Sequence, residues 1–163
     1  MSVARAALKE QQRLVDENPN NPDYHHELAR IHNNLGIFLQ KQGKWAESWD
    51  EYRVALAQQQ SLAEEYPNVP LYRHFLARTH YDLGGFLASL DQRGHVADDL
   101  GDFLAGGERA QEAEAEYRTA LTEQWRLVAE HPNVPVYRLY LDDSRVNLVI
   151  LCLLYTSELP TKA

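Results

Sequence analysis

Cysteine is all but missing from the 163-residue sequence, and a single thiol, Cys152, excludes an intramolecular disulfide framework. That scarcity fits a reducing compartment, so a cytoplasmic location is expected. Basic charge is also in short supply: 16 Lys and Arg stand against 24 Asp and Glu, a formal net charge of -8. Such a surface repels polyphosphate and argues against nucleic acid as a partner. Long apolar runs are lacking too. The densest, Val146 to Tyr155, is broken by Asn147 and supplies about half of the roughly 20 residues that a membrane-spanning helix needs. Met1 to Leu14 is interrupted by Arg5, Lys9, Glu10 and Arg13, which leaves no apolar segment for a secretion signal. Sustained period-two alternation, the mark of a strand, is missing as well.

What the sequence does contain is a repeat. ALKEQQRLVDENPNNPDY (Ala7 to Tyr24), ALAQQQSLAEEYPNVPLY (Ala55 to Tyr72) and ALTEQWRLVAEHPNVPVY (Ala120 to Tyr137) fall into register, with Pro19, Pro67 and Pro132 separated by 48 and then 65 residues. Tyr24 to Leu39 and Tyr72 to Leu87 match at their Tyr, Leu-Ala-Arg, His and Leu-Gly positions. The longer second spacing holds 17 additional residues with an echo of their own, since LGGFLA at Leu83 recurs as LGDFLA at Leu100. A local duplication explains them.

Each unit reads as two helices. Pro22, Pro70 and Pro135 suit the first helical turn, where the missing N–H costs nothing, and Asn21 is placed to cap the first of them. Tyr24, Leu28, Ile31, Leu35 and Leu39 then recur at intervals of three and four, the apolar face of a first helix. Gly43 breaks the chain, and Trp45, Trp49, Tyr52, Leu56 and Leu62 continue on a second helix that ends before Pro67. Trp45, Trp49, Tyr52, Tyr117 and Trp125 are expected in the core rather than in a ligand cage. The fold class is all-α. Helix pairs of this kind cannot cover their own apolar faces, so each is expected to stack on the next.

Leu35-Gly36, Leu39, Gly43, Tyr52 and Ala55-Leu56 resemble the tetratricopeptide (TPR) pattern, and Leu83-Gly84, Leu87, Tyr117 and Ala120-Leu121 repeat it. A standard TPR unit has about 34 residues; the longer spacing here resembles the elongated units found beside bacterial serine/threonine kinase domains. The resemblance covers roughly Ala7 to Asn147. It implies a TPR-like α-solenoid of antiparallel helix pairs and a non-catalytic role in binding a protein or peptide, as in the regulatory arm of a signalling protein. The last first-type helix departs from the pattern, with Val149 where Gly36 and Gly84 stand and Cys152 where Leu39 and Leu87 stand.

The expected organisation is a second-type helix alone over 1–18, a full unit over 22–66, and a second unit over 70–131 with the insertion near 89–107. A first-type helix alone follows over 135–155, then an unstructured tail over 156–163. The chain is expected to be a piece of a longer array or to carry a non-native end. The alternative is a short protein whose ends dimerise.

Chemistry-bearing motifs are few. His26-Glu27-Leu28-Ala29-Arg30 begins like a zinc-protease helix but lacks the second histidine. His32 and His80 recur in register without ligand-spaced cysteines or carboxylates, so interface packing or hydrogen bonding is favoured over a metal or proton-transfer role. Gly84-Gly85 sits within a helical pattern, and Gly106-Gly107 lacks the lysine and hydroxyl of a phosphate cradle. Ser61, Ser89, Ser144 and Ser157 have no nucleophile-elbow context, and Cys152 lies in an apolar helix where thiols are inert. Glu112, Glu114 and Glu116 read as a solvated face. No catalytic residue, cofactor or metal is expected.

A surface remains. His26, Arg30, Asn33 and Ile37, and their counterparts His74, Arg78, Tyr81 and Gly85, are spaced to share one helix face in each copy. If first-type helices line a concave side, these residues form a basic strip suited to an acidic peptide. The plain alternative is that Arg30 and Arg78 pair with neighbouring acids. Self-association through 146–155 is the other functional expectation.

Overall fold

Proline, asparagine and glycine punctuate the chain, and the computed structural model, which describes residues 2–93 and 109–157, turns that punctuation into helices. In order they are α1 (Ser2–Glu17), α2 (Pro22–Lys41), α3 (Trp45–Glu65), α4 (Pro70–Arg93), α5 (Arg109–Glu130) and α6 (Pro135–Ser157). Among the described residues the chain is all-α. The insertion expected near 89–107 begins inside α4 and otherwise lies outside the described residues. Residues 158–163 lie outside them too, while α6 runs two residues past the expected tail boundary at 156.

The helix ends follow from local chemistry. Asn21 takes an extended conformation and its Oδ1 accepts from the Asp23 amide at 3.0 Å, with Pro22 at the first helical position. At the far end of α2, Gly43 adopts φ 74°, which only glycine reaches without strain. The Lys44 amide then bonds back to the Leu39 carbonyl and the Gly43 amide to that of Gln40, each at 3.0 Å. This is a Schellman closure, which satisfies carbonyls that the helix end would leave unpaired. One turn recurs three times in register. The amides of Asn21, Val69 and Val134 bond to the carbonyls of Asn18, Tyr66 and His131 at 3.0–3.1 Å, each with proline second in the turn.

Two compact units divide the chain, Met1–Thr79 and His80–Ala163, with the boundary inside α4. In the first, α2 packs on both α1 and α3. A Cβ on Gly36 would lie 3.0 Å from the ring of Tyr52, which is fully buried. Ser48 Oγ donates to the Gly36 carbonyl at 2.8 Å, and the Tyr52 hydroxyl donates to Gln40 Oε1 at 3.0 Å. The bare glycine therefore sets how closely the two helices approach. In the second unit Gly84 meets Tyr117 with the same 3.0 Å clearance, and α5 packs on α6. Leu28, Leu35, Leu39, Ala55 and Leu62 fill the first core; Leu83, Leu87, Ala120, Leu127, Leu141 and Leu151 fill the second.

One expectation of burial is corrected. Trp125, read as core, is 53% exposed, with the Arg145 guanidinium 5.9 Å from its ring centroid. The buried stripe of α5 runs through Ala120, Gln124 and Leu127, and Trp125 lies one residue, about 100° of helix, away from it. Cys152, within α6, is exposed. No described helix is long and apolar enough to cross a membrane.

Candidate functional site

Helical spacing places His26 and Arg30 one turn apart on α2, and His74 and Arg78 one turn apart on α4. Within the first unit all four converge on Phe75. The His26 ring lies edge-on to Phe75 at 4.7 Å between centroids, His74 at 5.2 Å, and the guanidinium carbons of Arg30 and Arg78 stand 5.3 and 6.0 Å from the ring centre. Cation–π attraction of this kind holds guanidinium groups over a ring without quenching their charge. Phe75 itself sits beside the repeated histidine and was not singled out from the sequence. Its signal there is only its position, next to one repeated residue and three before another.

Burial divides the strip. His26, Asn33 and His74 are buried, whereas Arg30, Ile37 and Arg78 are half-exposed. The His26 ring also touches Tyr72 at 5.4 Å, and its Nδ1 is buried without a hydrogen bond. Removal from water pushes the His74 imidazole down to about 4, with the Arg78 charge and His26 adding to the effect. Burial lowers His26 in the same way, only partly opposed by Glu27. Both rings are therefore neutral at pH 7, so the positive groups of the strip are its arginines, of which Arg30 is offset by Glu27. Arg30 pairs with a neighbouring acid, as the plain alternative expected: its Nη1 donates to the two Glu27 carboxylate oxygens at 2.6 and 2.9 Å. Tyr72 donates to Asp23 Oδ1 at 3.2 Å, tying α4 to the start of α2.

Tyr81 belongs to the second unit. Its hydroxyl accepts from Asn147 Nδ2 at 2.6 Å, and its ring meets Tyr117 edge-on at 5.8 Å. Burial raises its hydroxyl above the usual range, and burial pushes the Tyr117 hydroxyl up to about 12.

The other repeated histidines form a matched pair of contacts. His32 Nδ1 lies 2.6 Å from Glu51 Oε2, and His80 Nδ1 lies 2.5 Å from Glu116 Oε2, each linking a first-type helix to the second-type helix that follows. The carboxylate partners were legible in principle, since Glu51 and Glu116 are separated by the same 65 residues as the second proline spacing. Glu116, read as part of a solvated face, is in fact half-buried in this contact. Among the described residues no three His, Cys, Asp or Glu side chains gather as a metal site would require. A groove of about 650 Å³ lies elsewhere in the first unit, walled by Pro19, Pro22, His25, Gln58, Ser61 and Tyr66.

In comparison with known proteins, no protein family, no curated protein and no solved structure matches the chain.

Proposed function

We propose that the chain is a non-catalytic interaction module, a TPR-like α-solenoid segment of antiparallel helix pairs that holds an acidic peptide or protein segment. The observation that carries this reading is the register-matched pair Arg30 and Arg78, both within 6.0 Å of the Phe75 ring centre on a protein of net charge -8. Two guanidinium groups braced by one aromatic ring keep their donors in a fixed fork geometry, which suits carboxylates. The repeated Gly–Tyr packing at Gly36–Tyr52 and Gly84–Tyr117 supports the TPR-like part of the reading.

The test uses a fluorescein-labelled peptide rich in glutamate beside its glutamine counterpart, titrated with the protein and followed by anisotropy. Binding of the glutamate peptide should exceed that of the glutamine peptide and should fall at least tenfold in the Arg30→Ala, Arg78→Ala double variant, on the order of 1.5–3 kcal/mol for two charge-assisted contacts. Equal binding by wild type and double variant would overturn the assignment of this surface.

A further inference from the structure

The second-type helices α1, α3 and α5 share one ion-pairing place in register, and only α3 has no cation of its own there. Arg13, Ser61 and Arg126 are separated by the repeat spacings of 48 and 65 residues, as are Glu10, Gln58 and Glu123, and Glu17, Glu65 and Glu130. In α1 the Arg13 guanidinium donates to Glu10 and to Glu17, each at 2.5 Å, and in α5 Arg126 Nη1 donates to Glu123 at 2.6 Å. Such contacts at spacings of three and four are what a helix surface provides. In α3 the two acceptor positions remain, as Gln58 and Glu65, one turn to either side of a serine.

That serine lies in a recess. Ser61, Gln58 and Glu65 belong to one wall of the groove of about 650 Å³, and Pro19, Pro22 and His25, from the turn between α1 and α2 and the start of α2, form the other. His25 Nε2 donates to the Pro19 carbonyl at 2.8 Å and so ties the second wall together. Tyr66 adds a ring, and no described Lys or Arg lines the groove. Gln58 is half-buried and its Oε1 has no donor, a state that buried acceptors seldom keep. Hydrogen bonding to Glu65 raises the Tyr66 hydroxyl above its usual range, and a carboxylate with two oxygens still accepts from a further donor.

We propose that this groove receives an arginine side chain from a partner peptide, its guanidinium donating to Gln58 and Glu65 in the place that Arg13 and Arg126 take on their own helices. A planar fork of five donors reaches two separated acceptors, which the compact ammonium of lysine does less well, and a ring beside it suits the flat group. The net charge of -8 draws a basic segment toward the surface, and the groove then selects arginine within it. The site involves neither Arg30 nor Arg78 and stands apart from the acidic-peptide reading.

The test is a fluorescence anisotropy titration of the full chain with a labelled pentapeptide bearing one central arginine, beside the same peptide with lysine or with uncharged citrulline in its place. The arginine peptide should bind about fivefold more tightly than either control, the advantage expected of a charge-assisted, two-acceptor contact. Ser61→Arg, at an exposed position, supplies the guanidinium in cis as α1 and α5 do, and should weaken the arginine peptide by about tenfold. Thr119→Arg on α5 changes the net charge equally, lies away from the groove, and should leave binding unchanged. Circular dichroism melting checks that the variants are folded, and Glu65→Gln, which removes one acceptor, replaces Ser61→Arg if that chain is not. Equal binding of the three peptides, or equal weakening by Thr119→Arg and Ser61→Arg, would reduce the effect to net charge and overturn the proposal.

Discussion

His74 concentrates the energetic consequences of single residues in this protein. Its ring is buried and its proton affinity pushed down to about 4, below the ordinary 6.5, so the unfolded chain binds a proton that the folded chain refuses. Stability from this group is complete above pH 6.5 and is lost as pH falls from 6.5 toward 4. We expect the free energy of urea unfolding to drop by roughly 2–3 kcal/mol over that interval beyond what the carboxylates cause, and His74→Gln to flatten the drop. An unchanged pH profile in the variant would show that His74 is solvated. The same burial separates two kinds of repeated residue that the sequence treats alike. His26 and His74 serve the packing around Phe75, and Arg30 and Arg78 carry charge at its edge.

Between elements, the closest approach is set by glycine. Gly36 and Gly84 each leave room for a tyrosine ring that an added Cβ would meet at 3.0 Å, and neither Tyr52 nor Tyr117 is free to retreat, being 0% and 5% exposed. Alanine would gain about 1 kcal/mol of helix propensity at such a site, but overpacking costs typically about 1–3 kcal/mol. The expected result for Gly36→Ala or Gly84→Ala is a net loss of roughly 1 kcal/mol in urea unfolding. Pairing Gly36→Ala with Tyr52→Leu should recover part of that loss, and strict additivity of the two changes would argue that the ring does not set the spacing. The legibility of this interface was mixed. Leu-Gly and Tyr positions stood out because they recur in register, whereas the His32–Glu51 and His80–Glu116 contacts required knowing which faces of two separate helices meet. Trp125 was misread for a related reason. An aromatic side chain one residue off the buried stripe looks, in sequence, much like one on it.

For the whole molecule, net charge and apolar surface oppose each other. Copies of charge -8 repel, while the exposed apolar side chains Val146, Val149 and Ile150 of α6 favour contact. Raising ionic strength from about 0.01 M to about 1 M shortens the screening length from roughly 30 to 3 Å and removes the repulsion. The average mass at fixed protein concentration should therefore rise with salt, as read by light scattering. A mass that fell with salt would mean that ion pairs, rather than Val149 and Ile150, favour association.

The starts of α2, α4 and α6 and the end of α2 were determined by the sequence alone, because proline, asparagine and glycine act on the backbone within a turn or two of themselves, as Asn21, Pro22 and Gly43 do. The repeat register was likewise legible, being a matter of residue identity. Only the tertiary structure decided which repeated polar side chains lie inside, that Phe75 gathers two histidines and two arginines, and that Trp125 faces water. Burial is a property of what packs against a residue, and that neighbour lies tens of residues away along the chain, as Phe75 does from His26.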